Sequence, residues 1–135
     1  YGAKIGKNCD IESGLTIHNC KNYSNLNIGN NCHIGKDCFF DLRDSIKIYN
    51  NVVISMQCTF ITHLDMSKSS LSKKYPAKSE NIIIGDNVYI GAKSTVLMNV
   101  KIDANSMISC MSLVNKDVSS NHLVAGIPIM VIKKI

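Results

Sequence analysis

The sequence is poor in aromatic side chains, which make up 6% of its 135 residues. Few rings leave few platforms on which bases could stack. The net charge of +5 is spread along the chain, and the only paired lysines are Lys73-Lys74 and Lys133-Lys134. Nucleic-acid binding is therefore disfavoured. A small, negatively charged ligand suits this charge equally well.

Long apolar segments are also missing. No run approaches the ~20 residues that cross a bilayer, so no membrane span is expected. No signal sequence is recognisable, because the chain opens directly in a repetitive pattern at Ile5. The hydrophobic content of 45% nevertheless predicts a folded core within one domain.

An apolar residue recurs at a six-residue interval through most of the chain. Thirteen of the fourteen positions are Ile or Val: Ile5, Ile11, Ile17, Ile28, Ile34, Phe40, Ile48, Ile54, Ile84, Ile90, Val96, Ile102, Ile108 and Val114. This period fits neither an amphipathic helix nor a long alternating strand. It predicts a solenoid of short strands and turns.

The six cysteines form no C-x-x-C pair. Four of them, Cys9, Cys32, Cys38 and Cys58, lie four residues after a repeat isoleucine, in a slot that elsewhere holds Val or Ser. Such a slot favours a small inward side chain, and free cysteine packs as a small hydrophobe. We therefore expect reduced, structural cysteines and a cytoplasmic protein.

Three six-residue units would make one triangular coil, which gives five to six coils over residues 1–120. Residues 64–81 interrupt the repeat as a polar loop, and residues 121–135 form a closing segment, either a strand or a short helix. Glycine after many repeat residues, followed by Asn or Asp, predicts tight corners with positive φ. The register slips at Lys21–Asn27. An eight-residue spacing after Phe40 predicts an irregular, exposed corner containing Asp41, Arg43 and Asp44.

The second half of the chain resembles the hexapeptide-repeat acyltransferases. It is similar to the maltose and galactoside O-acetyltransferases and to bacterial polysaccharide O-acetyltransferases. The resemblance is carried by THLD at 62–65, IIIGDNVYIGAKSTVL at 82–97 and VNKDVSSNHLVAGIPIMVIKKI at 114–135. It implies an all-β, left-handed parallel β-helix, a homotrimer, acetyl-CoA as donor without a metal, and an active site between subunits.

The resemblance also implies site residues. His63, at the mouth of the loop, would be the general base, since a neutral imidazole can take a hydroxyl proton. Its ring could be oriented by Asp65 or by a backbone carbonyl. The backbone N–H of Ala92 would stabilise the oxyanion.

The coenzyme arm would pass Ala92 and Cys110, and its phosphates would meet Asn115, Lys116 and Lys133. Asp41, Arg43, Asp65 and Tyr75 are candidates for binding the acceptor, a sugar or glycan hydroxyl. The chain departs from the family pattern at 97–99, 109–112 and 119–121, which affects turns and the walls of the coenzyme channel.

Two alternatives remain open, and a third is disfavoured. An N-acetyltransferase acting on an aminosugar nucleotide would use the same scaffold and base. A non-catalytic scaffold is favoured only by the altered turn segments. A zinc hydratase on the same helix needs converging histidines, two of them five positions apart, whereas His18, His33, His63 and His122 are scattered.

Overall fold

The computed structural model describes residues 2–19 and 23–135. In these ranges the chain forms short β-strands together with two 3₁₀ turns, Tyr23–Asn25 and Ser70–Lys73. The predicted register slip at Lys21–Asn27 lies partly outside the described residues. Its described part contains the first 3₁₀ turn and the start of the next strand.

The strands are grouped in threes, one group per coil. Coil 1 holds β1 (Lys4–Ile5), β2 (Asp10–Ile11) and β3 (Thr16–His18). Coil 2 holds β4 (Leu26–Ile28), β5 (His33–Ile34) and β6 (Phe39–Asp41), and coil 3 holds β7 (Ile46–Ile48), β8 (Val53–Ile54) and β9 (Thr59–Phe60). An arm with β10 (His63–Leu64) and β11 (Lys78–Ser79) follows. Coil 4 holds β12 (Ile82–Ile84), β13 (Tyr89–Ile90) and β14 (Thr95–Val96), and coil 5 holds β15 (Val100–Ile102), β16 (Met107–Ile108) and β17 (Leu113–Val114). The chain closes with β18 (His122–Ala125) and β19 (Met130–Lys134).

Equivalent strands of successive coils pair in parallel and form three faces. The first face is β1-β4-β7-β12-β15, the second runs from β2 through β5, β8, β13 and β16 to β18, and the third is β3-β6-β9-β14-β17. The registers stack repeat residue on repeat residue, as in Ile28 on Ile48 and Ile48 on Ile84. The predicted parallel β-helix is confirmed, with five complete coils and a partial sixth.

The core is the column of side chains inside these coils. Phe40 and Phe60 are fully buried and stack with ring centroids 4.8 Å apart. In the first coil Ile5 remains 50% exposed, because a neighbouring coil covers it from one side only. Each coil therefore depends on its neighbours for burial.

The cysteine slot is buried as predicted. Cys32, Cys38 and Cys58 have at most 2% exposure, and Cys9 is partly buried. Their thiols also donate hydrogen bonds to carbonyl groups of the next coil, such as Cys58 Sγ to Gly91 O at 3.3 Å. Ser94 and Ser106 make equivalent bonds from the same slot. The Cys and Ser residues of the slot thus add a hydrogen bond to the next coil, which the buried Val residues of the same slot do not make.

The predicted role of the repeat glycines is wrong. The corners do have positive φ, as predicted, but on the residue two places after the glycine, as at Asn8, Asn31 and Asn87. The glycines are needed because coils approach closely. A Cβ on Gly35 would lie 2.6 Å from the backbone nitrogen of Met56, and one on Gly29 would lie 2.6 Å from the Tyr49 carbonyl oxygen.

The arm and the closing segment are more regular than the sequence indicated. Strands β10 and β11 pair antiparallel, so residues 64–81 leave the prism as a hairpin rather than as a structureless loop. The closing segment is a second antiparallel hairpin, β18–β19, and not a helix. Its Val124 and Ile129 side chains are buried over coil 5.

Candidate functional site

The candidate site lies at the third corner, where the chain leaves the third face to start the next coil. His18 and Asp41 pair in register at the ends of β3 and β6. Residues Ile61–His63 follow β9 at the same corner, one coil further on. The register aligns His18 and Asp41 with Ile61, and His63, two residues beyond Ile61, reaches the Asp41 side chain at this corner.

Asp41 and His63 form a buried hydrogen-bonded pair. His63 Nδ1 lies 2.5 Å from Asp41 Oδ2, and the side-chain exposures are 22% for His63 and 2% for Asp41. The prediction that Asp41 sits in an exposed corner is wrong: Asp41 is the last residue of β6, and its carboxylate is buried. The open question of what orients His63 is answered by Asp41, and Asp65 does not do so.

Four further groups hold the Asp41 carboxylate in place. Oδ2 accepts a hydrogen bond from the backbone N–H of Thr62 at 2.9 Å. Oδ1 accepts one from the backbone N–H of Arg43 and one from the side-chain amide of Asn19, each at 3.2 Å. The Thr62 hydroxyl lies 3.1 Å from Oδ2 and 2.9 Å from the Asp41 carbonyl oxygen. This network fixes the carboxylate before any substrate binds.

These contacts fix the charge of Asp41 and the tautomer of His63. Burial alone would raise the pKa of Asp41, but the bonds from His63, Thr62, Arg43 and Asn19 outweigh it and lower the pKa to about 2. An ionised carboxylate only accepts hydrogen bonds, so Nδ1 of His63 must carry a proton. A neutral His63 then has an unprotonated Nε2, which is free to take a proton.

A cavity of about 420 Å³ opens beside His63 and extends along the same corner. Its walls come from coils 3, 4 and 5 and from the base of the arm: Ile61, His63, Leu64, Lys78, Glu80, Leu97, Met98, Asn99 and Asn115. The structure thus brings the predicted Asn115 together with His63. A long substrate lying along this corner would pass His63.

Ala92 and Cys110 lie at a different corner, the second, which joins the second face to the third. There the N–H groups of Lys36, Met56, Ala92 and Cys110 have no hydrogen-bond acceptor among the described residues, whereas Gly91 and Lys93 donate to Ile108 and Met56. At the first corner the equivalent N–H groups of Lys7, Asn30 and Asn50 are capped by side chains of the next coil, as by Asn50 Oδ1 on the Asn30 nitrogen at 2.8 Å, whereas those of Asp86 and Ala104 are not capped by any described residue. The second corner therefore presents a column of free donors.

The remaining predicted residues are exposed. Lys116 follows Asn115 at the third corner, and Lys133 is on β19, beside Leu123 of the second face. Arg43 contributes its backbone to Asp41, while the Asp65 carboxylate accepts the Ser67 N–H at 2.9 Å within its own turn. Tyr75, at 47% exposure, lies on the arm and not on the cavity wall.

Sequence reasoning missed two residues of the site, His18 and Asn19. The His18 ring stacks on the His63 ring with centroids 6.3 Å apart. The signal was available, because His18 follows Ile17 as Asp41 follows Phe40 in the repeat.

Among residues 2–19 and 23–135, no group of three or more His, Cys, Asp or Glu side chains could hold a metal ion. The same residues include no helix long and apolar enough to span a membrane.

Comparison with known proteins agrees with this architecture. Residues 26–56 and 81–110 match the family model described as the hexapeptide repeat of succinyl-transferase. The chain is a hexapeptide-repeat protein. This hexapeptide-repeat protein is 32% identical to the galactoside O-acetyltransferase of Lactococcus lactis over 139 residues, which cover 98% of this chain and 63% of that one. It thus spans less than two thirds of the length of that relative.

Two solved structures show the same fold. A maltose O-acetyltransferase from Clostridium difficile superposes with a TM-score of 0.87 at 28% identity, over 98% of this chain and 69% of the other. A galactoside acetyltransferase in complex with coenzyme A superposes with a TM-score of 0.87 at 29% identity, over 97% and 64%. The hexapeptide-repeat protein therefore resembles acetyltransferases along nearly its whole length.

Proposed function

We propose that the protein is an acyltransferase that moves an acetyl group from acetyl-CoA to a hydroxyl of a sugar or glycan. The observation that carries this proposal is the Asp41–His63 pair at the edge of the cavity. It combines a fixed carboxylate, a defined imidazole tautomer and a free Nε2. Similarity to galactoside and maltose O-acetyltransferases supports the donor and the class of acceptor.

In the proposed reaction His63 acts as the general base. Nε2 takes the proton of the acceptor hydroxyl as its oxygen attacks the thioester carbonyl carbon. Asp41 keeps the proton on Nδ1 and stabilises the imidazolium that forms. When the tetrahedral intermediate collapses, the carbon–sulfur bond breaks and Nε2 returns the proton to the leaving thiolate. Atoms and charge then balance, and His63 is neutral again.

The oxyanion of the intermediate would be held by the Ala92 N–H, which has no partner among the described residues. A fixed backbone donor of this kind contributes about 3 kcal/mol to such an intermediate. Ala92 and His63 sit at the two corners that border the third face, so one chain does not bring them together. We therefore place the site between subunits of a homotrimer.

The third face is suited to such an assembly. Its outward row is uncharged, namely Thr16, Phe39, Thr59, Thr95 and Leu113, whereas the first face carries Lys4, Lys47 and Lys101. With the third face of each subunit towards a threefold axis, the His63 corner of one subunit meets the Ala92 corner of the next. Face-to-face contact without buried charge avoids a desolvation penalty.

The coenzyme arm would follow the second corner of one subunit. Ala92 and Cys110 offer free N–H groups there, and exposed Met56 and Met111 offer apolar contact. Lys133 and the neighbouring subunit's Lys116 would bind phosphates as point charges. Arg43, Asp65 and Tyr75 are proposed to contact the acceptor near the arm. Acetyl-CoA as donor and reduced cysteines fit a cytoplasmic location.

The test is release of free thiol from acetyl-CoA with a panel of sugars that includes galactosides, maltose and an aminosugar nucleotide. His63→Ala should lower kcat by at least ~10²-fold. His122→Ala is the matched control, because that histidine bonds the Ser120 carbonyl at 2.8 Å, away from the cavity. Acetylation of amines only would favour an N-acetyltransferase. Normal turnover by His63→Ala would contradict the proposed base.

A further inference from the structure

Two consecutive residues of coil 1 contact the Asp41–His63 pair, one residue for each member of the pair. The Asn19 side chain donates to Asp41 Oδ1 at 3.2 Å. The His18 ring lies against the His63 ring, with centroids 6.3 Å apart and planes at 29°. Coil 1 therefore supports the pair from the side opposite to coils 4 and 5.

His18 is itself supported by a second ring. The Phe39 ring lies 5.6 Å from that of His18, with an interplanar angle of 36°. Phe39 belongs to β6 and pairs in register with Thr16 and Thr59, so its backbone is held on both sides. Ring pairs at these separations are attractive and favour particular orientations.

We propose that His18 is a positioning residue for the base: it forms, with Phe39, an aromatic support that keeps the His63 ring aligned with Asp41. The proposal rests on the proposed function, in which His63 is the base. One hydrogen bond at Nδ1 fixes a single atom of the imidazole and leaves the ring free to tilt about it. A ring stacked on its face opposes that tilt, and Nε2 then stays directed at the cavity.

His18 does not line the cavity, and its side chain is exposed. Shortening it should leave the cavity walls and the core unchanged. Loss of His18 should therefore lower kcat and spare the Michaelis constant for acetyl-CoA. Misalignment of a reacting group by a fraction of an ångström lowers rates steeply, so we expect a fall of about 10-fold.

The experiment compares His18→Phe, which keeps an aromatic ring, with His18→Leu, which keeps bulk but has no ring. We expect His18→Phe to turn over within about twofold of the wild type and His18→Leu to lose about 10-fold in kcat. Both variants should unfold at the wild-type urea midpoint. Equal losses in both variants would overturn the proposal in favour of a role for the His18 nitrogens. Wild-type kcat in both would overturn it outright.

A second measurement does not depend on activity. The proton on His63 Nδ1 should give a low-field NMR resonance, assigned by its loss in His63→Gln. That resonance should persist in His18→Phe and broaden in His18→Leu, and an unchanged resonance in His18→Leu would also overturn the proposal. A wild-type protein that transfers no acetyl group would contradict the proposed function instead, while this resonance still reports on the ring.

Discussion

At the scale of single residues, the site depends on a carboxylate that cannot easily be protonated. Asp41 is almost fully buried, yet hydrogen bonds from His63, Thr62, Arg43 and Asn19 hold its pKa at about 2. A buried carboxylate without such donors would be neutral and could not fix the tautomer of His63. The site therefore needs both features: burial strengthens the Asp41–His63 hydrogen bond, and the donors keep Asp41 charged.

Asp41→Asn should abolish most activity while the coils stay intact. An amide in this position can present its N–H₂ to Nδ1, which would move the imidazole proton to Nε2 and remove the base. We expect kcat to fall by on the order of 10²-fold or more, with a small change in the Michaelis constant for acetyl-CoA. Asp44→Asn is the matched control, because Asp44 lies in the turn after Asp41 but accepts its hydrogen bonds from the Ser45 N–H and the Ser79 hydroxyl of the arm, and not from His63. Equal losses in the two variants would contradict this role of Asp41.

Asp41 also predicts a pH dependence of stability. Its pKa is about 2 in the folded protein against an ordinary value of 3.8, so its contribution is complete above that ordinary value and is lost as the pH falls towards 2. The difference in free energy of unfolding between wild type and Asp41→Asn should therefore be constant at neutral pH and shrink from about pH 4 to about pH 2. Urea titrations at several pH values measure it. A difference that grew on acidification would contradict the depressed pKa.

Lys116 and Lys133 test the coenzyme side. Both are exposed and carry no ion pair with another described residue, so replacing them should not disturb the fold. Lys116→Glu combined with Lys133→Glu should raise the Michaelis constant for acetyl-CoA and leave that for the acceptor nearly unchanged. Lys4→Glu with Lys7→Glu in coil 1 makes the same change in net charge and serves as control, because both lysines are exposed and have no ion pair with another described residue. Equal effects on both substrates would argue against phosphate binding.

At the scale of the elements, the three corners of each coil are built differently. The first corner is an asparagine ladder in which Asn8 bonds Asn31 and Asn31 bonds Asn51, each at 3.2 Å, and in coils 1 to 3 side chains cap its free N–H groups. The second corner places Gln57, Lys93 and Met111 at positive φ, where Asn or Gly would be less strained. A corner that keeps free N–H groups at this cost is the one that we assign to the coenzyme.

The inward slot makes a prediction about packing. Cys58 has no exposed surface and donates to the Gly91 carbonyl, so Cys58→Ser keeps the donor and should be tolerated better than Cys58→Leu. The leucine should cost about 1–3 kcal/mol of unfolding free energy through overpacking. Cys110→Leu, at an exposed position, should change stability by less than about 0.5 kcal/mol. A larger loss from the serine variant, measured by urea unfolding, would contradict this account of the slot.

The elements show what a sequence of this kind reveals. The six-residue period predicted the coils, and the Cys, Val and Ser slot predicted their interior, because both are repeated many times. Asp41 was wrongly predicted to be exposed because the repeat is irregular after Phe40. This irregular turn occurs only once in the sequence, so the repeat does not predict which of its side chains face the core. The role of the glycines was wrongly predicted because it depends on how closely successive coils approach each other, and residue spacing in the sequence does not show that distance. The position of His18 could have been predicted from the sequence, because the repeat aligns it with Asp41.

At the scale of the whole molecule, the prism separates groups that the proposed chemistry needs together. His63 belongs to the third corner and Ala92 to the second, and the uncharged third face lies between them. A charge in the middle of that face should therefore disrupt the assembly and the activity at once. Thr95→Lys tests this, and Ile83→Lys is the matched control, because Ile83 is equally half-buried on the first face of the same coil. Light scattering should give a trimer for wild type and Ile83→Lys, and smaller species for Thr95→Lys.

Mixing two inactive variants tests whether each site is shared. His63→Ala lacks the base, and Ala92→Trp blocks the corner that would hold the oxyanion. If the site spans two subunits, some interfaces in mixed trimers combine an intact His63 corner with an intact Ala92 corner. A site is intact only where the subunit that supplies His63 is an Ala92→Trp chain and the subunit that supplies Ala92 is a His63→Ala chain. In a random mixture of equal amounts each condition is met half of the time, so about a quarter of wild-type sites should be restored. If each chain instead carried a complete site, every chain in the mixture would retain its own defect and activity would stay at the level of the parents.

Refolding the two variants together, with each refolded alone as control, distinguishes the two arrangements, and an active monomer would rule out the shared site.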